Sequence, residues 1–402
     1  MQQLFKNIKG DKAIWAVVAI LALFSFLPVY SASTNLVYVV GSGTTFGYLL
    51  KHAVLLLLGI GVIYAVHKIP YRYFKALSIL AMPIVILLLL YTLAQGTMIG
   101  GANASRWIQV PYVGITFQTS TFAAIVLLVH VARYLAKIKD RTVTFKETIV
   151  PLWLPVFIVL VLILPANFST TAIIFLMVLI LCFLGGYPWK YLLGVIGAGI
   201  LGLTMFVLTA KAFPGLFPNR VDTWISRIDN FTNDEDTEAD YQIEKAKIAI
   251  ATGGVVGLGA GKSVMKNFLP QSSSDFIYAI IIEEYGLVGG FVIIFMYLLL
   301  LFRIVVVAHK SESTFGKLLV IAAGLPIVVQ AFINMAVAVE LFPVTGQTLP
   351  LISSGGTSIW MTCLAIGIIL SVSAKRQEDL EEIEEKEAID NQNPLDILSE
   401  QL

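Results

Sequence analysis

The chain carries about ten apolar runs, each close to the length of a membrane-spanning helix, and no other feature constrains its fold as strongly. A hydrocarbon core of about 30 Å takes roughly 20 apolar residues in helical form. Backbone polar groups can be satisfied there only within helices or closed barrels. The runs fall near 12–33, 46–67, 73–95, 117–138, 147–165, 169–186, 188–209, 276–302, 315–341 and 356–374. The fifth to seventh are separated only by short turns, Pro165-Ala166-Asn167 and Gly185-Gly186-Tyr187-Pro188. Composition points the same way: 57% of residues are hydrophobic and 13% charged, where soluble domains carry about 25% charged residues. The expected fold is an all-α integral membrane protein, a bundle of about ten transmembrane helices with a large extracytoplasmic loop between helices 7 and 8. Residues 1–375 are read as the membrane domain, 210–275 within it as the loop, and 376–402 as a charged cytoplasmic tail. The first run, Ala13 to Val29, reads as a spanning helix and not as a cleaved leader. Cys182 and Cys363 lie inside apolar runs and read as small packing residues.

Lys and Arg in the short loops set the orientation. One side carries Lys6, Lys9 and Lys12, then Lys68, Arg72 and Lys75, then Arg133, Lys137, Lys139, Arg141 and Lys146, then Lys190, Arg303, Lys310, Lys317, Lys375 and Arg376. The short loops of the other side hold little beyond Lys51 and Arg106. Both termini are therefore expected in the cytoplasm, which requires an even number of spans. The net charge of +1 says nothing about nucleic acid, and with no basic stripe interleaved with aromatics none is expected as a partner. Within the long loop, Tyr241 to Ile250 has the apolar spacing of an interfacial helix.

The unusual polar clusters all fall on the outer side: Ser31–Ser33, Asn103–Trp107, Gln118–Ser120, Asn167–Thr171, the long loop through Asp275, and Pro343–Ser358. Chemistry or binding is expected there, away from cytoplasmic nucleotides. The run Gly254 to Ser263 resembles a phosphate-binding loop but has Val256 where that motif needs its first glycine. Two readings stand for its glycines, close backbone packing and amide contact with a pyrophosphate. Asp275 opens the eighth span, either as a helix cap or as a functional carboxylate. Glu283 and Glu284 lie about two turns further in, where carboxylates face a cavity or a partner. Asp275 and at least one of them are candidates to line one cavity. Arg106 and Arg227 are outer-side cations that either meet an anionic ligand or form salt bridges.

The segment Pro343-Val344-Thr345-Gly346-Gln347-Thr348-Leu349-Pro350-Leu351-Ile352-Ser353-Ser354-Gly355-Gly356-Thr357-Ser358 resembles the signature of the SEDS family (shape, elongation, division and sporulation). So do Leu269-Pro270 with Asp275-Phe276-Ile277-Tyr278, and Glu283-Glu284-Tyr285-Gly286. Further matches are Tyr30-Ser31-Ala32-Ser33, Ser105-Arg106-Trp107-Ile108, Phe117-Gln118, Tyr241-Gln242, and Gln330 with Asn334. The resemblance is closer to the division member than to the elongation member. It implies a peptidoglycan glycosyltransferase of the bacterial inner membrane that uses lipid II, with the catalytic aspartate at Asp275. Substrate contacts are expected from Arg106, Trp107, Gln118, Ser120, Arg227, Tyr241, Gln242, Gln271, Glu283, Glu284, Thr345, Gly346, Ser353, Ser354, Gly355 and Gly356. A divalent cation (Mg or Mn) held by carboxylates and pyrophosphate is a candidate cofactor. A class B penicillin-binding protein transpeptidase and other divisome proteins are the expected partners.

The chain departs from the family pattern at several positions. Gln271 and Ser273-Ser274 replace Glu and His-Thr, Thr121 and Ala124 replace a Glu and a Lys, and Ser354 replaces a Tyr. Ala166-Asn167-Phe168-Ser169-Thr170 replaces a Pro-Asp-x-Gly-Thr. The competing readings are an elongation-type polymerase, a lipid II flippase and a non-catalytic scaffold for a transpeptidase.

Overall fold

The computed structural model describes residues 9–40, 44–95, 107–109, 116–212, 238–269 and 272–390. Among the described residues eleven α-helices follow one another: α1 (Lys12–Val40), α2 (Thr45–Val66), α3 (Phe74–Gln95), α4 (Thr119–Ile138), α5 (Phe145–Ile163, with a π-turn at Ile149–Trp153), α6 (Phe168–Leu184), α7 (Trp189–Ala212), α8 (Glu238–Gly253), α9 (Ile277–Lys310), α10 (Thr314–Ala338) and α11 (Thr357–Asp390). Eight of them are long and apolar enough to cross a membrane, and α6 and α7 contribute shorter apolar segments. These ten fall on the ten runs read from the sequence. Side chains such as Leu23, Leu57, Leu80, Leu87 and Phe183 stand outward with about two thirds of their surface uncovered. A face of this kind is stable only against lipid.

The described residues also contain a short antiparallel pair, β1 (Trp107–Gln109) and β2 (Thr116–Gln118), with Trp107 opposite Gln118. The hairpin is a small addition to the helical bundle expected from the sequence. It feeds directly into α4, and Thr357 Oγ1 at the start of α11 donates to Thr116 O at 3.0 Å and accepts from Gln118 N at 3.4 Å. At the opposite end of the bundle, Asp11 caps α1 through Ala13 N and Ile14 N and forms an ion pair with Arg303 at the end of α9.

The buried side chains form two cores. One draws on α1, α2, α9, α10 and α11, and the other on α3 to α6. Both cysteines are buried and free. Cys363 Sγ lies 2.7 Å from where a Cβ on Gly59 would stand. Small residues therefore let α2 and α11 approach closely, as membrane helices require in the absence of a hydrophobic driving force.

The glycine-rich run after α8 lies against a break in α9. Gly286 sits at φ 69°, ψ −173° inside α9. The helical bonds from Leu287 N to Glu283 O and from Val288 N to Glu284 O are thereby lost. The loop replaces them: Leu258 N donates to Glu283 O (3.0 Å) and Gly259 N to Glu284 O (2.9 Å), while Leu287 N donates to Gly254 O (2.9 Å). The approach is backbone to backbone. A Cβ on Gly286 would stand 2.2 Å from Val255 O, and one on Gly257 2.3 Å from Glu284 O. Of the two readings of these glycines, close packing is the one this geometry carries. The amides of Leu258 and Gly259 already serve α9.

Candidate functional site

Where the two cores meet, a cavity of about 580 Å³ opens at the end of the bundle that carries the hairpin, the turn 272–276 and the loop 339–356. Its apolar wall takes Leu55, Ile125 and Ile327 from one core and Ala124, Ile174 and Met177 from the other. Its polar wall takes Gln330 from α10 and Ser358 and Thr362 from α11, and the rest from five further places. The hairpin and the start of α4 bring Trp107, Gln118, Ser120 and Thr121. The start of α6 brings Asn167 and Thr170. The turn before α9 brings Ser273, Ser274 and Asp275. The loop before α11 brings Gly346, Gln347, Thr348, Ser354, Gly355 and Gly356. Helix α2 brings Lys51 and His52.

Asp275 is half-buried and lies one residue outside the cap position of α9, which Phe276 occupies. Its backbone is clamped. Asn334 of α10, itself buried, donates from Nδ2 both to Asp275 O (2.8 Å) and to Gln347 O (2.7 Å). One side chain thus fixes the aspartate turn to the opposite loop. Ser353 Oγ donates to Ser274 O (2.6 Å) and accepts from Leu349 N (2.7 Å), and Ser354 N donates to Ser273 O (2.8 Å). The far side of the loop is tied by Tyr297 Oη to Pro350 O (2.5 Å). Leu351 is held at φ 66° while its side chain is buried. That conformation costs a non-glycine residue about 1–2 kcal/mol and persists here because the turn is fixed on every side. Gly346, at φ +71°, leaves room beside the carboxylate: a Cβ there would stand 3.5 Å from Asp275 Oδ2.

The structure thus brings together Asp275, Trp107, Gln118, Ser120, Gly346, Ser354, Gly355 and Gly356 of the residues expected from sequence. Ser353 stands behind the wall and positions it. Thr345 adjoins Gly346 without lining the cavity. Arg106, Arg227 and Gln271 lie outside the described residues. Tyr241 and Gln242 lie on α8, away from the cavity, with Lys245 Nζ 5.0 Å over the Tyr241 ring.

Glu283 and Glu284 correct the expectation of a shared acidic cavity, because both turn toward the glycine-rich loop. Glu283 accepts from Ser263 Oγ, Val264 N (2.9 Å) and Met265 N (3.2 Å). Glu284 accepts from Ser31 Oγ of α1 and from Ser263 N (3.3 Å). Lys266 Nζ closes the cluster by donating to Ser31 Oγ (3.1 Å) and Gly261 O (2.8 Å). The loop satisfies both oxygens of Glu283 and Oε1 of Glu284, while Glu284 Oε2 is buried with no partner among the described residues.

The cavity therefore holds a single described carboxylate. Among the described residues no three His, Cys, Asp or Glu side chains group as metal ligands. A divalent cation held by several carboxylates does not fit this donor set. Lys51 and His52 escaped the sequence reading as site residues because they sit inside an apolar run; their spacing from Tyr48 and Leu55 was the available signal.

A multi-pass helical membrane protein with a polar cavity at one end, built around one clamped aspartate, is the class that fold and site define. The sequence matches the FtsW/RodA/SpoVE cell cycle protein family over residues 11–378, and the chain belongs to that family. It is similar to the probable peptidoglycan glycosyltransferase FtsW of Geobacter sulfurreducens strain DL-1/KN400, at 32% identity over 371 residues, covering 91% of this chain and 95% of that one. The corresponding protein of Alcanivorax borkumensis is 30% identical over 375 residues, covering 91% and 93%. Among solved structures, a chain of a peptidoglycan synthase complex that coordinates polymerization and crosslinking superimposes with a TM-score of 0.70 at 24% identity, covering 91% of this chain and 98% of that one. The rod shape determining protein RodA of Thermus thermophilus superimposes with a TM-score of 0.64 at 22% identity, covering 91% and 97%.

Proposed function

We propose that the protein is a peptidoglycan glycosyltransferase of the division type, polymerising lipid II into glycan strands at the outer face of the bacterial inner membrane. The observation that carries this reading is the cavity at the junction of the two cores, with Asp275 as its one described carboxylate. A substrate with an isoprenoid tail in the bilayer and sugars outside suits a cavity that is apolar toward the bundle and polar toward its mouth. An acceptor hydroxyl loses its proton to the Asp275 carboxylate as its oxygen attacks the anomeric carbon of the donor. The bond from that carbon to the diphosphate oxygen breaks, its electron pair leaves with the lipid diphosphate, and the anomeric centre inverts. Positive charge near the leaving group stabilises the transition state, and Arg106 and Arg227 are candidates for it alongside the cavity's own cation. In this reading both termini lie in the cytoplasm, which the basic loops support, and 1–375 forms the membrane domain. A class B penicillin-binding protein is the proposed partner, with other divisome proteins around it.

The experiment that separates polymerase from flippase is a paired assay on the purified protein in proteoliposomes, with and without a class B penicillin-binding protein. Glycan strands should form from lipid II, with no acceleration of lipid II scrambling between leaflets. Scrambling without polymer would establish the transporter reading. Neither activity with either preparation would leave the scaffold.

A further inference from the structure

Helix α2 presents Tyr48, Lys51, His52 and Leu55 to the cavity, one face at spacings of three and four residues. Lys51 is the only lysine or arginine among the described residues that line it, and no described residue pairs with its ammonium group. His52 is 1% exposed. Its tautomer follows from its neighbours. Ser25 Oγ of α1 lies 2.7 Å from Ala22 O, which can only accept, and 2.8 Å from His52 Nε2; with the one hydroxyl proton on the carbonyl, Oγ accepts from an Nε2–H. Nδ1 is then a lone-pair acceptor, and it is buried with no partner among the described residues. Phe26 packs edge-on against the ring at 5.6 Å and holds it in place. His52 lines the cavity, and Nδ1 is the ring nitrogen that no described residue engages. A buried acceptor held rigidly and left unpaired is costly, and a ligand group that donates to it removes the cost.

We propose that this face of α2 is a recognition wall for a lipid-linked sugar diphosphate. Lys51 takes an anionic diphosphate oxygen, and His52 Nδ1 accepts a hydrogen bond from a hydroxyl or amide N–H of the sugar beside it. The proposal rests on the cavity being the lipid II site, and it gives the cavity a cation of its own opposite the neutral Thr121 and Ala124. Lys51 and His52 bind and orient; neither takes part in the proton transfer assigned to Asp275.

The test is binding to the purified full-length protein in detergent, which needs no turnover. Undecaprenyl diphosphate and undecaprenyl monophosphate probe Lys51. Lys51→Met should weaken diphosphate binding about tenfold or more, the usual worth of a charge-assisted hydrogen bond, and should erase the preference over the monophosphate. Lys51→Arg should stay within about threefold of wild type. Lipid II probes His52. Asn places its amide oxygen where Nδ1 stands, and Gln places its amide nitrogen where Nε2 stands. His52→Asn should therefore keep lipid II affinity and KM, and His52→Gln should lose both. The reverse order would make His52 only an anchor to Ser25 and overturn its assignment. Undiminished diphosphate binding by Lys51→Met would overturn the assignment of Lys51. Failure of the wild-type protein to bind either diphosphate would instead sink the reading of the cavity.

Discussion

At the scale of single residues, the site depends on how few groups hold Asp275 and how completely they are used. Asn334 makes two hydrogen bonds that join the aspartate turn to the 343–358 loop. Asn334→Ala strands two carbonyls. Each unsatisfied group costs about 1–3 kcal/mol, so the expected outcome is a lower melting temperature in detergent together with a fall in polymerisation rate. Asn334→Asp restores neither donor and should behave alike. The aspartate was legible in the sequence because a polar cluster at the edge of an apolar run stands out. The two glutamates were equally visible, but their direction was not: a helical position gives no warning that a break two residues later will turn a side chain toward a loop. His52 was hidden for the opposite reason, since one histidine in an apolar helix reads as core until its neighbours are known.

At the scale of elements, the break at Gly286 and the glycine-rich run form one unit, with loop amides replacing helical ones. Gly286→Ala adds a Cβ that would stand 2.2 Å from Val255 O, at a positive φ. It should prevent recovery of folded protein, measured by monodisperse yield after extraction. Gly254→Ala, also at positive φ (+53°) but with nothing within 4 Å, should cost only the left-handed conformation, about 1–2 kcal/mol. Glu283→Ala strands three donors of the loop. The expected outcome is a destabilisation of about 3 kcal/mol or more and faster proteolysis within 254–269. The sequence left close packing and pyrophosphate contact both open for these glycines and gave no sign that α9 is the partner, because the break depends on one residue's dihedral angles. The hairpin was missed for a related reason. Three-residue strands between apolar helices carry too little period-two pattern to register.

At the scale of the whole molecule, the ten segments were legible because the bilayer fixes helix length and apolar composition together, while α9 and α11 run on past their apolar stretches to Lys310 and Asp390. The same physics sets the orientation prediction. Val256 is 80% exposed at the end of the bundle that holds the cavity, and Arg141 follows α4 at the other end. Val256→Cys should react with a membrane-impermeant maleimide in intact spheroplasts, and Arg141→Cys only after permeabilisation. The opposite pattern would place the cavity in the cytoplasm. The most direct test of the account remains polymerisation of lipid II by reconstituted protein carrying Asp275→Asn or Asp275→Ala, beside wild type, with the penicillin-binding protein present. Both variants should extract at wild-type yield and form no glycan strands; wild-type turnover by either would contradict the role of Asp275 as the base.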